Sequence, residues 1–172
     1  MKINTMGIWG NLHQSLNLQE LSAIGSAIRI TNSRGYLSLT PTITACIYKT
    51  GKVQIYGNKE INDVQPLWQK TVSALRSVMP LPDADKDAQV KFIVASETLP
   101  YSMNLHKIVD EFPDDASIEY EPEQFPGLIW KLESGTCLLF TSGNIVITGP
   151  NSIEKIEETI AELRAKIDPL FM

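Results

Sequence analysis

The feature that most constrains the fold of this chain is an internal duplication. Residues 47–64 read IYKTGKVQIYGNKEINDV and align without a gap with residues 139–156, which read LFTSGNIVITGPNSIEKI. Tyr48 then meets Phe140, and the glycines of the two turns coincide. Upstream, NLQEL at 17–21 matches NLHKI at 104–108. A period of about 90 residues is too long for a solenoid and indicates a duplicated half-domain.

The duplication divides the chain into two halves with the same order of elements. The predicted segments are a first repeat at 1–79, a linker at 80–87 and a second repeat at 88–172. Each repeat begins with a strand and continues with a short helix, near 2–10 and 18–28 in the first and near 89–97 and 104–112 in the second. Strands joined by tight turns follow, because the glycines of KTGK and TSGN permit the positive φ that hairpin turns need.

A long amphipathic helix closes each half. In the second half the apolar residues fall at helical spacing and are Ile153, Ile156, Ile160, Leu163 and Ile167. Asn151 and Glu154 have the spacing of a capping box at its start. The equivalent stripe in the first half runs from Ile61 to Leu75, and Pro66 is expected to start or kink that helix.

Two such α+β halves predict one continuous, curved antiparallel sheet with pseudo-twofold symmetry and helices on one face. In GNIVITG, Ile145 and Ile147 alternate with Val146 and Thr148, so both faces of this strand are largely apolar. If helices cover only one face, the other exposes apolar surface, which usually marks a binding site.

Composition and motifs exclude several classes of function. The net charge of −5 argues against nucleic-acid binding by the whole surface, although one basic face is still compatible with it. We find no membrane-length apolar run, no secretion leader and no metal-ligand spacing around Cys46, Cys137, His13 or His106. Nothing resembles a nucleophile with its base or a phosphate loop, so we expect a non-enzyme without a cofactor that is not secreted.

Particular stretches of the sequence resemble one known family. YEPEQFPGLIW (120–130), LLFTSGNIVITG (138–149) and the last helix are similar to the second repeat of the TATA-box-binding protein family, especially its archaeal form. NLHQSLNLQEL (11–21) and IYKTGKVQIYG (47–57) resemble its first repeat. The resemblance covers nearly the whole chain. It implies a transcription initiation factor whose saddle-shaped sheet binds the minor groove of A/T-rich DNA and bends it, and this family is itself the type example of that mode.

The resemblance also implies the residues that contact DNA. Phe125 and Phe140 would be the wedges that enter base steps, and Tyr36 and Tyr48 take the corresponding places in the first half. Thr5 and Phe92 occupy positions where the family usually has asparagine. The groove-lining positions are Val94, Val146 and Thr148 and, in the first half, Gln54 and Tyr56. The flanking basic residues are Arg34, Lys49, Lys52 and Lys131.

The acidic EYEPEQ stretch matches the stirrup that the family presents to transcription factor B, which makes Glu121, Glu123 and Gln124 candidate partner contacts. The resemblance also implies a location in the cytoplasm or nucleoid, or in the nucleus of a eukaryote. One alternative is a divergent paralogue that does not bind DNA alone and acts through proteins. Another is that the open face binds a different ligand class, such as a nucleotide or a modified nucleic acid. An exposed apolar face would also allow a homodimer without DNA.

Overall fold

The computed structural model describes all residues from Met1 to Met172. The strands are β1 (Lys2–Asn11), β2 (Ile28–Ile30), β3 (Arg34–Ser38), β4 (Thr44–Tyr48), β5 (Lys52–Asn58), β6 (Gln89–Thr98), β7 (Ile118–Glu119), β8 (Leu128–Lys131), β9 (Thr136–Leu139) and β10 (Asn144–Thr148). The α-helices are α1 (Val64–Arg76), α2 (Leu105–Glu111) and α3 (Ile153–Phe171), and short 3-10 helices lie at Leu18–Ile24 and Ile61–Asp63. None of the helices combines the length and the apolar composition that a membrane crossing requires.

The chain forms two compact units, Thr5–Lys91 and Met1–Asn4 with Phe92–Met172. In the first unit the hydrogen-bonded strand order is β2-β3-β4-β5-β1, and in the second it is β6-β10-β9-β8-β7. The pairs between these neighbours are antiparallel. The start of β1 belongs to the second unit, where the Ser96 hydroxyl donates to Asn4 Oδ1 at 3.1 Å. The division of the sequence into repeats at 1–79 and 88–172 stays a prediction.

The two units repeat the same turn contacts at the positions that the sequence alignment pairs. Gly51 and Gly143 have φ of 88° and 89°, a region that side chains other than glycine rarely adopt. Each carbonyl accepts an equivalent backbone bond, from Leu12 N to Gly51 O and from Leu99 N to Gly143 O, both at 2.8 Å. A Cβ at either glycine would lie within 2.4 Å of a backbone oxygen, so both turns require glycine.

Within each unit the strands have one buried face and one partly open face. In β10, Ile145 and Ile147 are fully buried, whereas Val146 and Thr148 are partly exposed. In β5 the buried apolar residues are Val53 and Ile55, and the same alternation leaves Gln54 and Tyr56 on the other face. The apolar sides of α1 and α3 are buried as well, including Trp68 and Leu163 at 0% exposure. The open face of each unit is therefore the surface that can meet a ligand.

Two details of the predicted helices are wrong. The first short helix was expected near 18–28, but it is a 3-10 helix that ends at Ile24, where Gly25 adopts a φ of 106°. The last helix is capped by Ser152, whose hydroxyl accepts from Lys155 N at 3.3 Å, and not by Asn151. Because Ile153 is the first helical residue, Glu154 lies one position too early to complete a capping box.

Candidate nucleic-acid interface

The open face of the second unit carries an aromatic pair at the place where the sequence predicts wedges. The rings of Phe125 and Phe140 contact each other edge to face, with centroids 5.8 Å apart and planes at 71°. Phe125 N donates to Glu121 O, and Phe140 N donates to Asn144 O, both at 3.0 Å. Both side chains are only partly buried. The backbone thus holds two aromatic rings together at the surface rather than in the core.

Gly127 allows this pair to close over the backbone. A Cβ at this position would lie 2.7 Å from Cε1 of Phe125 and 3.0 Å from Cε1 of Phe140, both shorter than ordinary van der Waals contact. The glycine of the FPG motif is therefore needed for the close approach of the rings.

The rest of the predicted groove-lining set lies on the same open face of the second unit. Val94, Val146 and Thr148 are partly exposed, and Val146 lies opposite Ser96 in the strand register. Phe92 is also partly exposed and follows the same alternation as Val94 along β6. Lys131 is exposed, but its ammonium pairs with Glu119 at 2.5 Å, so its charge is compensated within the protein. This face is thus largely apolar and offers van der Waals contact rather than charge.

The tyrosines at the corresponding places of the first unit are arranged differently. The guanidinium of Arg29 lies over the ring of Tyr36, 4.5 Å from its centroid, and that of Arg34 lies over Tyr48 at 5.0 Å. Each pair also faces across neighbouring strands. Stacking of this kind suits the planar guanidinium group and leaves its N–H donors free at the edges. In the first unit, a guanidinium group therefore covers each of these tyrosine rings. In the second unit, no cation covers the two phenylalanine rings at the corresponding places.

Gln54 accepts hydrogen bonds from the hydroxyl groups of two tyrosines. Its side-chain oxygen accepts from Tyr48 at 3.0 Å and from Tyr56, so the amide nitrogen is left as a free donor on the open face. Burial, followed by hydrogen bonding with Cys46, raises the pKa of Tyr48 to about 12. A tyrosine is neutral at pH 7 even without this shift, so the Tyr48 hydroxyl can donate to Gln54 there. Thr5, which was also predicted to face DNA, is partly exposed on β1.

Residues that sequence reasoning missed lie on the same face of the first unit. Trp9 lies opposite Gln54 in the register and is 39% exposed. Arg29 was not singled out either, although it stacks on Tyr36. Alternation along the first strand could have placed Trp9 on the face of Thr5, because the two are four residues apart. The partner of Arg29 could be found only from the strand register.

The two units differ in charge. The segment 21–59 contains no acidic residue, and its basic residues are Arg29, Arg34, Lys49, Lys52 and Lys59. The corresponding segment 108–151 contains one basic residue, Lys131, and its acidic residues are Asp110, Glu111, Asp114, Asp115, Glu119, Glu121, Glu123 and Glu133. The net charge of −5 is therefore the sum of a basic first unit and an acidic second unit. Counting charges over each half would have revealed this difference from the sequence.

The loop that was predicted to meet a protein partner is open to solvent. Glu121, Glu123 and Gln124 are all exposed. The carbonyl of Glu121 accepts from Gln124 N at 2.9 Å, which forms a turn directly before Phe125. The carboxylates of Glu121 and Glu123 take part in no ion pair of the structure. The turn therefore presents negative charge next to the aromatic pair.

Comparison with known proteins gives a consistent result. A family model described as transcription factor TFIID, or TATA-binding protein, matches residues 87–170. TATA-box-binding protein 2 of Haloferax volcanii is 34% identical over 137 residues, which cover 78% of this chain and 73% of that protein. TATA-box-binding protein 3 of Methanosarcina mazei is 35% identical over 133 residues, covering 76% and 71%. The solved structure of Methanococcus jannaschii TBP superposes with a TM-score of 0.82 at 25% identity, covering 98% of each chain. The α+β fold expected from the sequence is thereby confirmed.

Proposed function

Because the chain belongs to the TATA-box-binding protein family, whose members are non-enzymatic, DNA-binding transcription initiation factors, we propose that it binds and bends A/T-rich promoter DNA through the minor groove and recruits a transcription factor B homologue. The observation that carries this proposal is the contact between Phe125 and Phe140 on a partly open, apolar sheet face. Minor-groove proteins insert such side chains between base steps and so kink the duplex.

No covalent bond is made or broken in the proposed binding. Separating a base step costs a few kcal/mol, and the contact area gained around the bent duplex offsets that cost. The apolar residues Val94 and Val146 suit the floor of the groove. Since the minor groove distinguishes A·T from G·C but not A·T from T·A, the orientation of the complex must come from elsewhere. The acidic turn lies in the second half only, so a partner bound to it would distinguish the two orientations.

The two halves are proposed to hold DNA in different ways. In the second half the bare phenylalanine pair wedges into a base step. In the first half, Arg29 and Arg34 cover the tyrosine rings and point charge outward, so phosphate contact replaces insertion there. Family members are expected to carry wedges in both halves, and this chain would therefore produce its main kink at one end of the site.

Gln54 is proposed to read bases as a donor. Both tyrosine hydroxyls occupy its oxygen, so its amide nitrogen faces the groove and suits the N3 of adenine or the O2 of thymine. Gln54→Val removes this donor, and we expect a loss of about fivefold in preference for A·T at one half-site, on the scale of a single hydrogen bond. Selection from a randomised duplex pool measures this preference. Identical selected sites for both proteins would show that Gln54 does not read bases.

The exposed carboxylates beside the wedge are proposed to bind the partner factor. Reversing both charges in the double variant Glu121→Lys, Glu123→Lys should weaken association with a transcription factor B homologue by tenfold or more, because like charges then face each other. Affinity for DNA alone should be unchanged or slightly higher. Isothermal titration with the purified factor measures the first effect. Reversal of Glu157 and Glu158, which lie on the exposed side of α3, is the matched control.

A second function is favoured by the acidity of the second half. A paralogue that no longer binds DNA alone and works by binding transcription factor B would need the acidic turn but not the basic residues of the first unit. Anisotropy with short A/T-rich and G/C-rich duplexes, at two salt concentrations and with or without the factor, separates the two. Preferential A/T binding with a steep salt dependence supports the main proposal. Association with the factor but not with any duplex supports the paralogue.

A further inference from the structure

Residues 99–103 form a loop that holds the turn carrying Phe140. Leu99 N donates to Gly143 O at 2.8 Å, and Gly143 N donates to Phe140 O at 3.0 Å. A Cβ at Gly143 would clash with the carbonyl oxygen of Tyr101, so the loop lies directly against the turn. The loop therefore helps to fix the position of Phe140.

The side chain of Tyr101 attaches this loop to the last turn of α3. Its hydroxyl donates to Asp168 Oδ1, and its ring stacks on Phe171 with centroids 5.7 Å apart and planes at 24°. Arg164 Nε donates to the other carboxylate oxygen of Asp168 at 3.1 Å, which fixes the acceptor in place. Hydrogen bonds to an ionised carboxylate are stronger than neutral ones. We call Tyr101, Asp168 and Phe171 the Tyr101 clamp.

The last turn of α3 is also held by α2. Lys107 Nζ donates to Leu170 O at 2.6 Å and lies 5.3 Å from the centroid of the Phe171 ring. A cation at the C-terminus of a helix interacts favourably with the carbonyl groups that end there. Pro169 removes one helical hydrogen bond from this turn, so contacts from outside the helix help to hold it. Because Ile167 just before it is fully buried, the Tyr101 clamp connects the Phe140 turn to a helix anchored in the core.

The first unit has a weaker attachment at the equivalent place. Gln14 takes the position of Tyr101, because its carbonyl oxygen is the atom with which a Cβ at Gly51 would clash. The Gln14 side chain makes one neutral hydrogen bond, from Nε2 to Pro80 O at 3.2 Å. It offers neither an aromatic stack nor a bond to a carboxylate. The stronger attachment thus lies in the unit that carries the phenylalanine pair.

We propose that Tyr101 is a positioning residue, which holds Phe140 where it can enter a base step and thereby sets the bend of the DNA. This role rests on the proposed function, because it concerns the wedge that enters the duplex. A functional side chain works only when its surroundings hold it within about 0.5 Å of the productive position. The Tyr101 clamp supplies this support through the loop, without a contact of its own to the DNA.

The protein without DNA gives the first test. Met103 N donates to Thr141 O at 3.0 Å, so the exchange of this amide with solvent reports on the contact between the loop and the turn. Tyr101→Ala should speed this exchange by about tenfold, because the loop then opens more often. Leu16 N, which donates to Lys49 O at 2.8 Å at the equivalent place in the first unit, is the internal control and should keep its rate.

The second test measures the bend of an A/T-rich duplex at saturating protein, where a loss of affinity alone cannot change it. Fluorescence transfer between dyes on the duplex ends should show a bend for Tyr101→Ala between those of the wild type and Phe140→Ala. Tyr101→Phe keeps the stack on Phe171 and should bend more than Tyr101→Ala. Gln14→Ala is the matched control and should bend as the wild type does. The affinity of Tyr101→Ala should fall about tenfold, on the scale of one hydrogen bond to a charged group.

A double variant shows whether Tyr101 acts through Phe140. Adding Tyr101→Ala to Phe140→Ala should change the bend no further, because the ring that the Tyr101 clamp positions is already absent. A further loss of bend in the double variant would overturn the proposal, as would an unchanged exchange rate at Met103. If the wild type bends DNA and Tyr101→Ala bends it equally, this inference alone fails. If the wild type bends no duplex, the proposed function fails and the positioning role fails with it.

Discussion

DNA bent by this protein should return almost to its free shape when Phe125 and Phe140 are both replaced by alanine. The two rings contact each other at the surface, and we propose that they are the only bare wedge of the chain. Each base–aromatic stack contributes about 1–3 kcal/mol, so losing both should weaken binding to A/T-rich duplex about a hundredfold. Fluorescence transfer between dyes on the two duplex ends measures the bend, and anisotropy measures the affinity.

Matched variants test whether a loss of bending comes from the phenylalanine pair. Tyr36→Ala with Tyr48→Ala should leave most of the bend, because the rings lie under arginines. Gly127→Ala should reduce the bend to an intermediate value, since its methyl group would push the two phenylalanine rings apart. Urea unfolding of each variant checks that its fold is intact. Equal bending by the wild type and the double phenylalanine variant would contradict the wedge.

The fold was largely predictable because the duplication fixes pairs of positions. The alignment that pairs Gly51 with Gly143 also pairs their hydrogen bonds to Leu12 and Leu99, at the same 2.8 Å. Local signals were less reliable. The spacing of Asn151 and Glu154 fits a capping box, but the helix begins one residue later than this spacing requires. Repeated long-range constraints thus predicted more of the structure than a single local motif did.

The partly exposed position of the two phenylalanines could be predicted from sequence, but the contacts of the first half could not. Phe125 and Phe140 lie in motifs that, together with the duplication, indicate the family. The contact of Arg29 with Tyr36 depends on how β2 pairs with β3. The orientation of Gln54 depends on two hydroxyls that approach it, one from the neighbouring strand β4 and one from its own strand β5. A contact between two strands can be predicted only when the register of that strand pair is known. No local feature of the sequence specifies this register.

The double variant Arg29→Ala, Arg34→Ala should lose about a hundredfold in affinity for A/T-rich duplex at about 50 mM salt. Each phosphate contact contributes about 0.9 to the slope of log affinity against log salt, so the slope should fall by about 2. The physical reason is the charge difference between the units: the second repels phosphate, and the first supplies the attraction. Anisotropy titrations over a range of salt concentrations give both quantities.

Three comparisons decide whether these arginines act through charge or through stacking. Arg29→Lys with Arg34→Lys keeps both charges but loses the planar stack, so the salt slope should persist while affinity falls only a few-fold. Arg76→Ala with Lys155→Ala removes the same charge from helices α1 and α3 and should leave the slope nearly unchanged. If the alanine pair at Arg29 and Arg34 also leaves the slope unchanged, these two arginines do not hold phosphates. The salt dependence would then have to come from other basic residues of the first unit, such as Lys49, Lys52 and Lys59.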